Sequence, residues 1–185
     1  MIIIEDYNQD WPNQFEAIKA DIAAVLGPLA LRIDHIGSTS VPGLGAKDII
    51  DVQVTVAELA DEIENTMKAA GFTHKPYYSD HVPKGEDPDP KLWKKIYFVQ
   101  RPNERRVHIH IRKLGNHNQR YALLFRDYLR AHPKSAATIE QIKRELARYH
   151  PNDWDAYYDI KDPVYDLIWD AAQGWAKTSH WDMSD

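Results

Sequence analysis

One acidic residue stands out in this chain of 185 residues, because it interrupts a run of branched apolar residues. Asp51 follows Ile49 and Ile50 directly, in a context typical of a buried strand. Apolar residues alternate from Ile50 to Val56, which places Asp51 and Gln53 together on the opposite face. A carboxylate in such a strand is costly to bury unless it is paired with a cation or bound to a metal. Asp51 is therefore the first candidate for chemistry.

Two histidines in a second apolar segment have the spacing of neighbours on one face of a strand. His108 and His110 lie in the segment Val107–Ile111, where apolar residues occupy the alternate positions. The period of two therefore places both imidazoles on one face. Oxygen ligands suit Mg²⁺, and imidazoles suit Zn²⁺, Mn²⁺ or Ni²⁺. If this strand lies beside that of Asp51, the pattern predicts a divalent metal site; the alternative is a pair of histidines hydrogen-bonded in the core.

A glycine-rich loop separates the predicted strand Leu31–Ile36 from the predicted strand Ile49–Val56. Glycine allows a ligand to approach the backbone, and hydroxyl and amide groups in such a loop can bind phosphate. The loop is not a Walker A motif, because it lacks the Gly-Lys-Ser/Thr ending. The predicted phosphate-binding residues of the loop are Gly37, Ser38, Thr39, Ser40 and Lys47. The alternative is a turn whose glycines serve only the backbone.

Three arginines are further candidates for binding an anion. Arg112 continues the polar face of the histidine strand, whereas Arg126 and Arg130 stand four residues apart on a predicted helix. At that spacing two guanidinium groups share a helix face and could bind a phosphate in bidentate fashion. The alternative is that Asp127 pairs with Arg130 on the helix surface.

The composition fits one globular protein with a small anionic ligand. Apolar residues make up 43% and charged residues 28% of the chain, and the net charge is -5. Residues 91–148 nevertheless hold 15 Lys and Arg against 4 Asp and Glu. A basic middle in an acidic protein suits a nucleotide or another phosphate compound more than a nucleic acid. The alternative is that basic and acidic helix faces pair with each other.

The sequence also bears on location and partners. It has no apolar run long enough for a membrane helix, no signal peptide and no cysteine, which together favour a reducing cytoplasm. We expect no membrane and no nucleic acid partner. The aromatic residues Trp154, Trp169 and Trp181, which we expect to be exposed, leave a homodimer open.

The element pattern predicts a mixed sheet followed by helices. Residues 1–115 combine a first helix, Trp11–Leu26, with short helices and strands, one of them over about Leu92–Gln100. Residues 116–185 have helical spacing throughout, with Pro163 expected to restart the last helix. The prediction is an α+β fold, with an α/β core over residues 1–115 and a helical segment over residues 116–185 packed on it as one compact domain.

The segment His35–Asp51, read His-Ile-Gly-Ser-Thr-Ser-Val-Pro-Gly-Leu-Gly-Ala-Lys-Asp-Ile-Ile-Asp, resembles the signature block of the GrpB family, also called UPF0157. Phe125–Arg130, the His-x-His strand and the closing region around Tyr157, Lys161 and Trp175 are similar to that family too. The resemblance spans nearly the whole chain. It implies a nucleotidyltransferase-like fold, as in DNA polymerase beta, with helices flanking the mixed sheet.

The resemblance also implies roles for individual residues. In the nucleotidyltransferase superfamily a Gly-Ser turn contacts the triphosphate, and a following Asp-x-Asp strand binds metal, which corresponds here to Gly37, Ser38 and Asp51. This chain departs from the pattern, since Gln53 replaces the second acid and a later strand offers histidines. Family members joined to a dephospho-coenzyme A kinase domain point to nucleotide-related partners.

Three hypotheses follow for the function. The first is a nucleotide-binding protein that transfers a nucleotidyl group to a small acceptor, with Asp51 and His110 as catalytic residues and Mg²⁺, Mn²⁺ or Zn²⁺ as the cation. The second is a catalytically silent nucleotide- or metal-binding regulatory module, which Gln53 favours. The third is a metal-dependent hydrolase that uses His108, His110 and Asp51.

Overall fold

The structure of the protein, a computed structural model, describes residues 1–183. Within those residues the chain is an α+β protein, which confirms the predicted class. The helices are α1 (Trp11–Leu26), α2 (Asp61–Ala69), α3 (Pro90–Trp93), α4 (His117–Ala131), α5 (Pro133–Tyr149) and α6 (Trp154–Ser179). The strands are β1 (Arg32–Ile36), β2 (Ile50–Val56), β3 (Thr73–Lys75), β4 (Lys95–Val99) and β5 (Val107–Lys113).

The strands form one mixed sheet in the order β1-β2-β5-β4-β3. The central pair β2 and β5 is parallel, and the other pairs are antiparallel. In the parallel register Asp51 lies opposite His108, and Gln53 lies opposite His110. Because side chains alternate along both strands, these four residues share one face of the sheet.

The opposite face of β2 and β5 is apolar and forms the main core. Val52, Val54, Ile109 and Ile111 are fully buried there. They belong to one cluster with apolar residues of α1 and α2. The alternation predicted from the sequence is observed, so burial of the apolar face forces the polar set toward α4–α6.

The helices α4, α5 and α6 pack together and cover part of the polar face. Their core includes Leu124, Ile139 and Trp169, and it extends to Val41 and Leu44 of the glycine-rich loop. The loop is thereby held between the sheet and the helices. The division of the chain after residue 115 stays a prediction.

Three local expectations are wrong. Leu92 does not begin β4, because Asp89 accepts a hydrogen bond from the amide of Lys91 and starts the short helix α3. Helix α6 runs through Pro163 without an interruption. Trp169, expected to be exposed, is buried and donates through Nε1 to Glu86 Oε1 at 2.8 Å.

Candidate functional site

A cavity of about 390 Å³ lies between the polar face of the sheet and the helices α4, α5 and α6. The sheet contributes Asp51, His108, His110 and Arg112, and the glycine-rich loop contributes its residues 37–39 and Lys47. The helices contribute aromatic and basic side chains. Most of the residues predicted from the sequence thus line a single cavity.

Asp51 and the two histidines form a cluster at the sheet wall. Asp51 Oδ1 is 3.2 Å from His108 Nδ1 and 3.8 Å from His110 Nε2. Burial acts to raise the pKa of Asp51, but its interactions with both imidazoles outweigh burial and hold that pKa below its ordinary value. Burial lowers the pKa of His110 to about 4, with Arg112 and Lys95 acting in the same direction and Asp51 opposing. His110 is therefore neutral at pH 7, which is the form that binds metals.

Gly37 is required by its position against Asp51. Its φ of 69° lies in the left-handed region. A Cβ atom at Gly37 would lie 2.4 Å from Asp51 Oδ2 and 2.9 Å from Asp51 Cβ. The turn thus comes into direct contact with the carboxylate, because only a hydrogen occupies the side-chain position.

A buried lysine that the sequence reasoning missed supports the turn after Gly37. Lys143 of α5 donates to Ser38 Oγ at 3.0 Å and to the carbonyl of Gly45 at 2.6 Å. Burial lowers the pKa of Lys143 to about 7, although Glu140 opposes the shift. An ammonium and a hydroxyl at this wall are groups that bind an anionic oxygen.

Two more lysines line the cavity from its helical side. Lys47 Nζ lies between 5.0 and 5.2 Å from the ring centres of Trp154, Tyr157 and Tyr158, as in a cation–π contact. Lys161, which was not predicted as a site residue, lies 3.9 Å above the ring centre of Tyr165. The basic residues of this wall are therefore held on aromatic surfaces.

Asp80 connects the cavity to a charged network that the sequence did not reveal. Its Oδ1 is 2.6 Å from Lys95 Nζ, and its Oδ2 accepts from Arg112 Nε at 2.8 Å. Burial acts to raise the pKa of Asp80, but the charges of Arg112 and Lys95 hold it below its ordinary value. Arg112 Nη1 also donates to Gln53 Oε1 at 2.6 Å. The network thus fixes the guanidinium group at the cavity wall.

An aromatic wall faces the charged one. Tyr121 and Phe125 of α4 and Tyr165 of α6 line the cavity. The rings of Tyr121 and Phe125 are stacked at 5.6 Å, and Phe125 contacts Tyr165 at 4.9 Å. A planar ligand could stack here.

The remaining predicted site residues are engaged with the protein itself. Arg126 lines the cavity but forms a two-point hydrogen bond with Asp127 and donates to the carbonyl of His35. Arg130 donates twice to the carbonyl of Ser40. Arg130 and Ser40 both lie outside the lining of the cavity. Thr39 lines the cavity, and its hydroxyl pairs with His35 Nε2 at 2.9 Å. The structure thus brings Arg126, but not Arg130, to the cavity.

One of the missed residues carried a signal in the sequence. Lys143 stands on the apolar stripe of α5 formed by Ala136, Ile139 and Leu146, where a lysine at helical spacing is unusual. Asp80 has no comparable signal, because it lies in a non-repeating segment before a proline-rich stretch. Only the tertiary structure places it beside His110, at 4.0 Å.

The donor set fits one divalent cation. A carboxylate oxygen of Asp51 and one nitrogen each of His108 and His110 lie within 4.8 Å of one another, which is the arrangement of three protein ligands with open positions for water or ligand. The second nitrogen of His110, Nδ1, lies 3.4 Å from Lys95 Nζ and 4.0 Å from Asp80 Oδ1, so the charged network reaches the other side of this ring. The set does not fit a pair of cations, because Gln53 supplies no charge.

Fold and cavity together define an α+β protein with an acid–histidine cluster beside a Gly-Ser turn. The model of the GrpB family, described as GrpB protein, matches residues 1–170. The chain belongs to the GrpB family, as the resemblance predicted. A solved structure of GrpB from Enterococcus faecalis is 31% identical, with a TM-score of 0.75 over 94% of this chain and 99% of that one.

Curated relatives are longer than this chain. UPF0157 protein YqkA of Bacillus subtilis is 36% identical over 92% of this chain and 47% of its own length. A dephospho-CoA kinase of Mycolicibacterium paratuberculosis is 34% identical over 93% of this chain and 46% of its own length. The chain thus spans about half the length of these relatives.

Two further findings concern the whole molecule. A Cid1 poly(U) polymerase is a structural neighbour with a TM-score of 0.49 at 14% identity, over 78% of this chain and 44% of that one. Among the helices of residues 1–183, none is long and apolar enough to cross a membrane.

Proposed function

We propose that the cavity binds a nucleotide or a related phosphate compound together with one divalent cation. The observation that carries the proposal is the contact between Gly37 and Asp51, which joins a phosphate-type turn to the acid–histidine cluster. A phosphate held at the turn would therefore lie next to the cation. Nucleotides bind proteins in this way, through phosphate and cation together.

The phosphate would be bound by the turn and the lysines around it. Ser38 and Lys143 supply a hydroxyl and an ammonium at 3.0 Å from each other. Arg112 and Lys161 add positive charge at the cavity wall. A phosphate oxygen is well matched to such charge-assisted donors.

The base of the nucleotide would lie on the aromatic wall. Tyr121, Phe125 and Tyr165 offer ring surface on the side of the cavity that the helices form. Stacking on such rings is tolerant of base identity. We therefore expect several nucleotides to bind with similar affinity.

We further propose transfer of a nucleotidyl group to a small acceptor as the reaction. A cation at Asp51 would offset negative charge on the transferring phosphate. His110, neutral at pH 7, would accept the proton of the attacking hydroxyl if the ligand displaces it from the cluster, and Arg112 and Lys143 would stabilise the charge that develops. The phosphorus–oxygen bond to the acceptor forms as the bond to pyrophosphate breaks, in line.

A second candidate is binding without turnover. It is favoured by Gln53, whose amide is buried and hydrogen-bonded at both ends, to Arg112 and to the carbonyl of Gln119. This amide cannot supply the second acid that two-cation transfer requires. In this case the protein would be a regulatory module that responds to its ligand.

Calorimetry can test the binding proposal. ATP, GTP and CTP are titrated in turn, each with Mg²⁺ or Mn²⁺, into wild type, Asp51→Asn and Asp170→Asn. Asp170 is exposed on α6, so its variant is the matched control for the loss of one carboxylate. We expect binding to be at least tenfold weaker in Asp51→Asn only, and the absence of binding to wild type would overturn the proposal.

Pyrophosphate release separates the candidates. Release in the presence of a panel of alcohol and amine acceptors would support transfer, and binding without release would support the silent module. Zinc that copurifies with the protein and is lost in His110→Ala would favour the hydrolase hypothesis instead.

A further inference from the structure

Arg112 is held at the cavity wall by residues on two sides. Its Nε donates to Asp80 Oδ2 at 2.8 Å and its Nη1 to Gln53 Oε1 at 2.6 Å. The residue is only 5% exposed, yet it lines the cavity. A guanidinium carries five N–H donors, so these two bonds leave donors for a ligand.

Gln53 holds this guanidinium without neutralising it. Its amide oxygen accepts from Arg112, and its amide nitrogen donates to the carbonyl of Gln119 at 3.2 Å. A carboxylate at the same position would also accept the hydrogen bond, but it would cancel the charge. Asp80 is shared between Arg112 and Lys95, so with a neutral Gln53 the network keeps a net positive charge that is available to an anion.

Asp80 does not offer a second metal site. Its Oδ1 is bound by Lys95 Nζ, and its Oδ2 accepts from Arg112 and from Asn118 Nδ2 at 3.0 Å. A divalent cation between Gln53 and Asp80 would meet both a guanidinium and an ammonium, and the repulsion at such distances is strong in a buried site. The place that a second cation would need is already occupied by protein charge.

We propose that Arg112 is a fixed cation that takes the place of a second metal ion. Because Gln53 is neutral, the positive charge of Arg112 stays available to the phosphate ligand. The site then works with one exchangeable cation, at Asp51, and one fixed cation, at Arg112. This inference deepens the proposed function and rests on it for the ligand class.

The number of bound Mn²⁺ ions tests the first half of the inference. The electron paramagnetic resonance signal of free Mn²⁺, recorded without a phosphate ligand, gives the number of ions bound per chain. We expect one ion for wild type and two for the double variant Gln53→Glu with Arg112→Met, since the variant exchanges a positive wall for a negative one. Two ions on wild type, or a single ion on the folded double variant, would overturn the inference.

Inorganic pyrophosphate tests the second half by calorimetry. We expect Gln53→Glu to weaken its binding about tenfold although Arg112 is retained, because the new carboxylate cancels the charge. Lys113→Met is the matched control, because it changes the net charge by the same amount. Lys113 is on the strand of Arg112 but pairs with Glu58 at the surface. Equal affinity in wild type and a folded Gln53→Glu would contradict the role given to Gln53.

Folding and the proposed function are checked separately. Circular dichroism establishes that each variant is folded, and Arg112→Gln, which also removes the charge, replaces Arg112→Met in the Mn²⁺ count if the latter does not fold. A separate variant, Arg112→Lys, keeps the charge. With Arg112→Lys at position 112, the pyrophosphate affinity is expected to fall less than in Gln53→Glu, and a larger fall would contradict the charge argument. Failure of pyrophosphate to bind wild type would refute the phosphate proposal, whereas the Mn²⁺ count would still decide whether a second ion is excluded.

Discussion

At Gly37 the backbone and a neighbouring carboxylate impose the same requirement. Any side chain there would both adopt a left-handed conformation and overlap Asp51. Gly43 provides a comparison within the same loop, since its φ is 80° and a Cβ atom would meet nothing within 4 Å. The pair separates backbone strain from steric contact with the site.

We predict that Gly37→Ala destabilises the protein by about 3 kcal/mol and that Gly43→Ala does so by about 1 kcal/mol. Backbone strain in the left-handed region accounts for about 1 kcal/mol in each, and overlap with Asp51 adds the remainder. Urea unfolding measures both values, and Mn²⁺ binding should be lost only in Gly37→Ala. Equal destabilisation of the two variants would show that the contact with Asp51 is not limiting.

Lys143 makes anion binding depend on pH near neutrality. Burial lowers its pKa to about 7, Glu140 opposes this, and Lys47, Lys161 and Arg144 act with burial. An anion favours the ammonium form, so affinity is full below this pKa and falls as the pH rises through it. This pH dependence is the reverse of that of a carboxylate that binds a cation, whose affinity rises with pH.

We predict that pyrophosphate affinity falls from pH 6 to pH 8.5 in both wild type and Lys143→Met, and that the fall in wild type is larger by a factor of about ten. The variant corrects for the titration of pyrophosphate itself, because both proteins meet the same ligand. Calorimetry at four pH values measures the difference. If the two profiles were parallel, Lys143 would not contact the ligand.

At the scale of elements, what the sequence predicts depends on periodicity. The period of two in β2 and β5 correctly separated the apolar face from the face of Asp51 and His108. Their parallel pairing could not be read from either strand alone, because the partner of a strand is set by the whole sheet. Asp80 was missed for the same reason, since it reaches the site through tertiary contacts.

Helix α6 shows where a local rule was overridden. Pro163 predicts an interruption, because it lacks an N–H and clashes with the preceding turn. The helix nevertheless continues from Trp154 to Ser179, since Tyr157, Trp169 and Ala172 are buried on both sides of the proline. Tertiary packing thus outweighs the local preference.

We predict that Pro163→Ala stabilises the protein by about 2 kcal/mol and Gly174→Ala by about 1 kcal/mol. Both residues are exposed on α6, so the changes act on the helix itself, restoring a hydrogen bond in the first case and reducing backbone freedom in the second. Thermal and urea unfolding measure the gains. A loss of stability in Pro163→Ala would mean that the proline geometry is needed for packing of α6.

At the scale of the whole molecule, the cavity belongs to both halves of the chain. Lys143 reaches Ser38, Arg126 reaches the carbonyl of His35, and the amide of Gln53 reaches the carbonyl of Gln119. Each of these bonds is buried or partly buried, so separating the halves would leave polar groups unpaired. The site therefore links the stability of the sheet to that of the helices.

We predict a single cooperative unfolding transition that includes both halves, in keeping with one compact domain. Amides of Val52 and Val54 in β2 and of Ile139 and Leu146 in α5, all buried, should exchange with the same free energy of opening under native conditions. Pyrophosphate should raise that free energy equally in both sets, because a ligand that binds only the assembled cavity stabilises everything that assembles it. Hydrogen exchange measured with and without pyrophosphate provides the test, with Lys143→Met as the control that should show a smaller increase. Protection that rises in β2 alone would place the ligand on the sheet and separate the helices from the function.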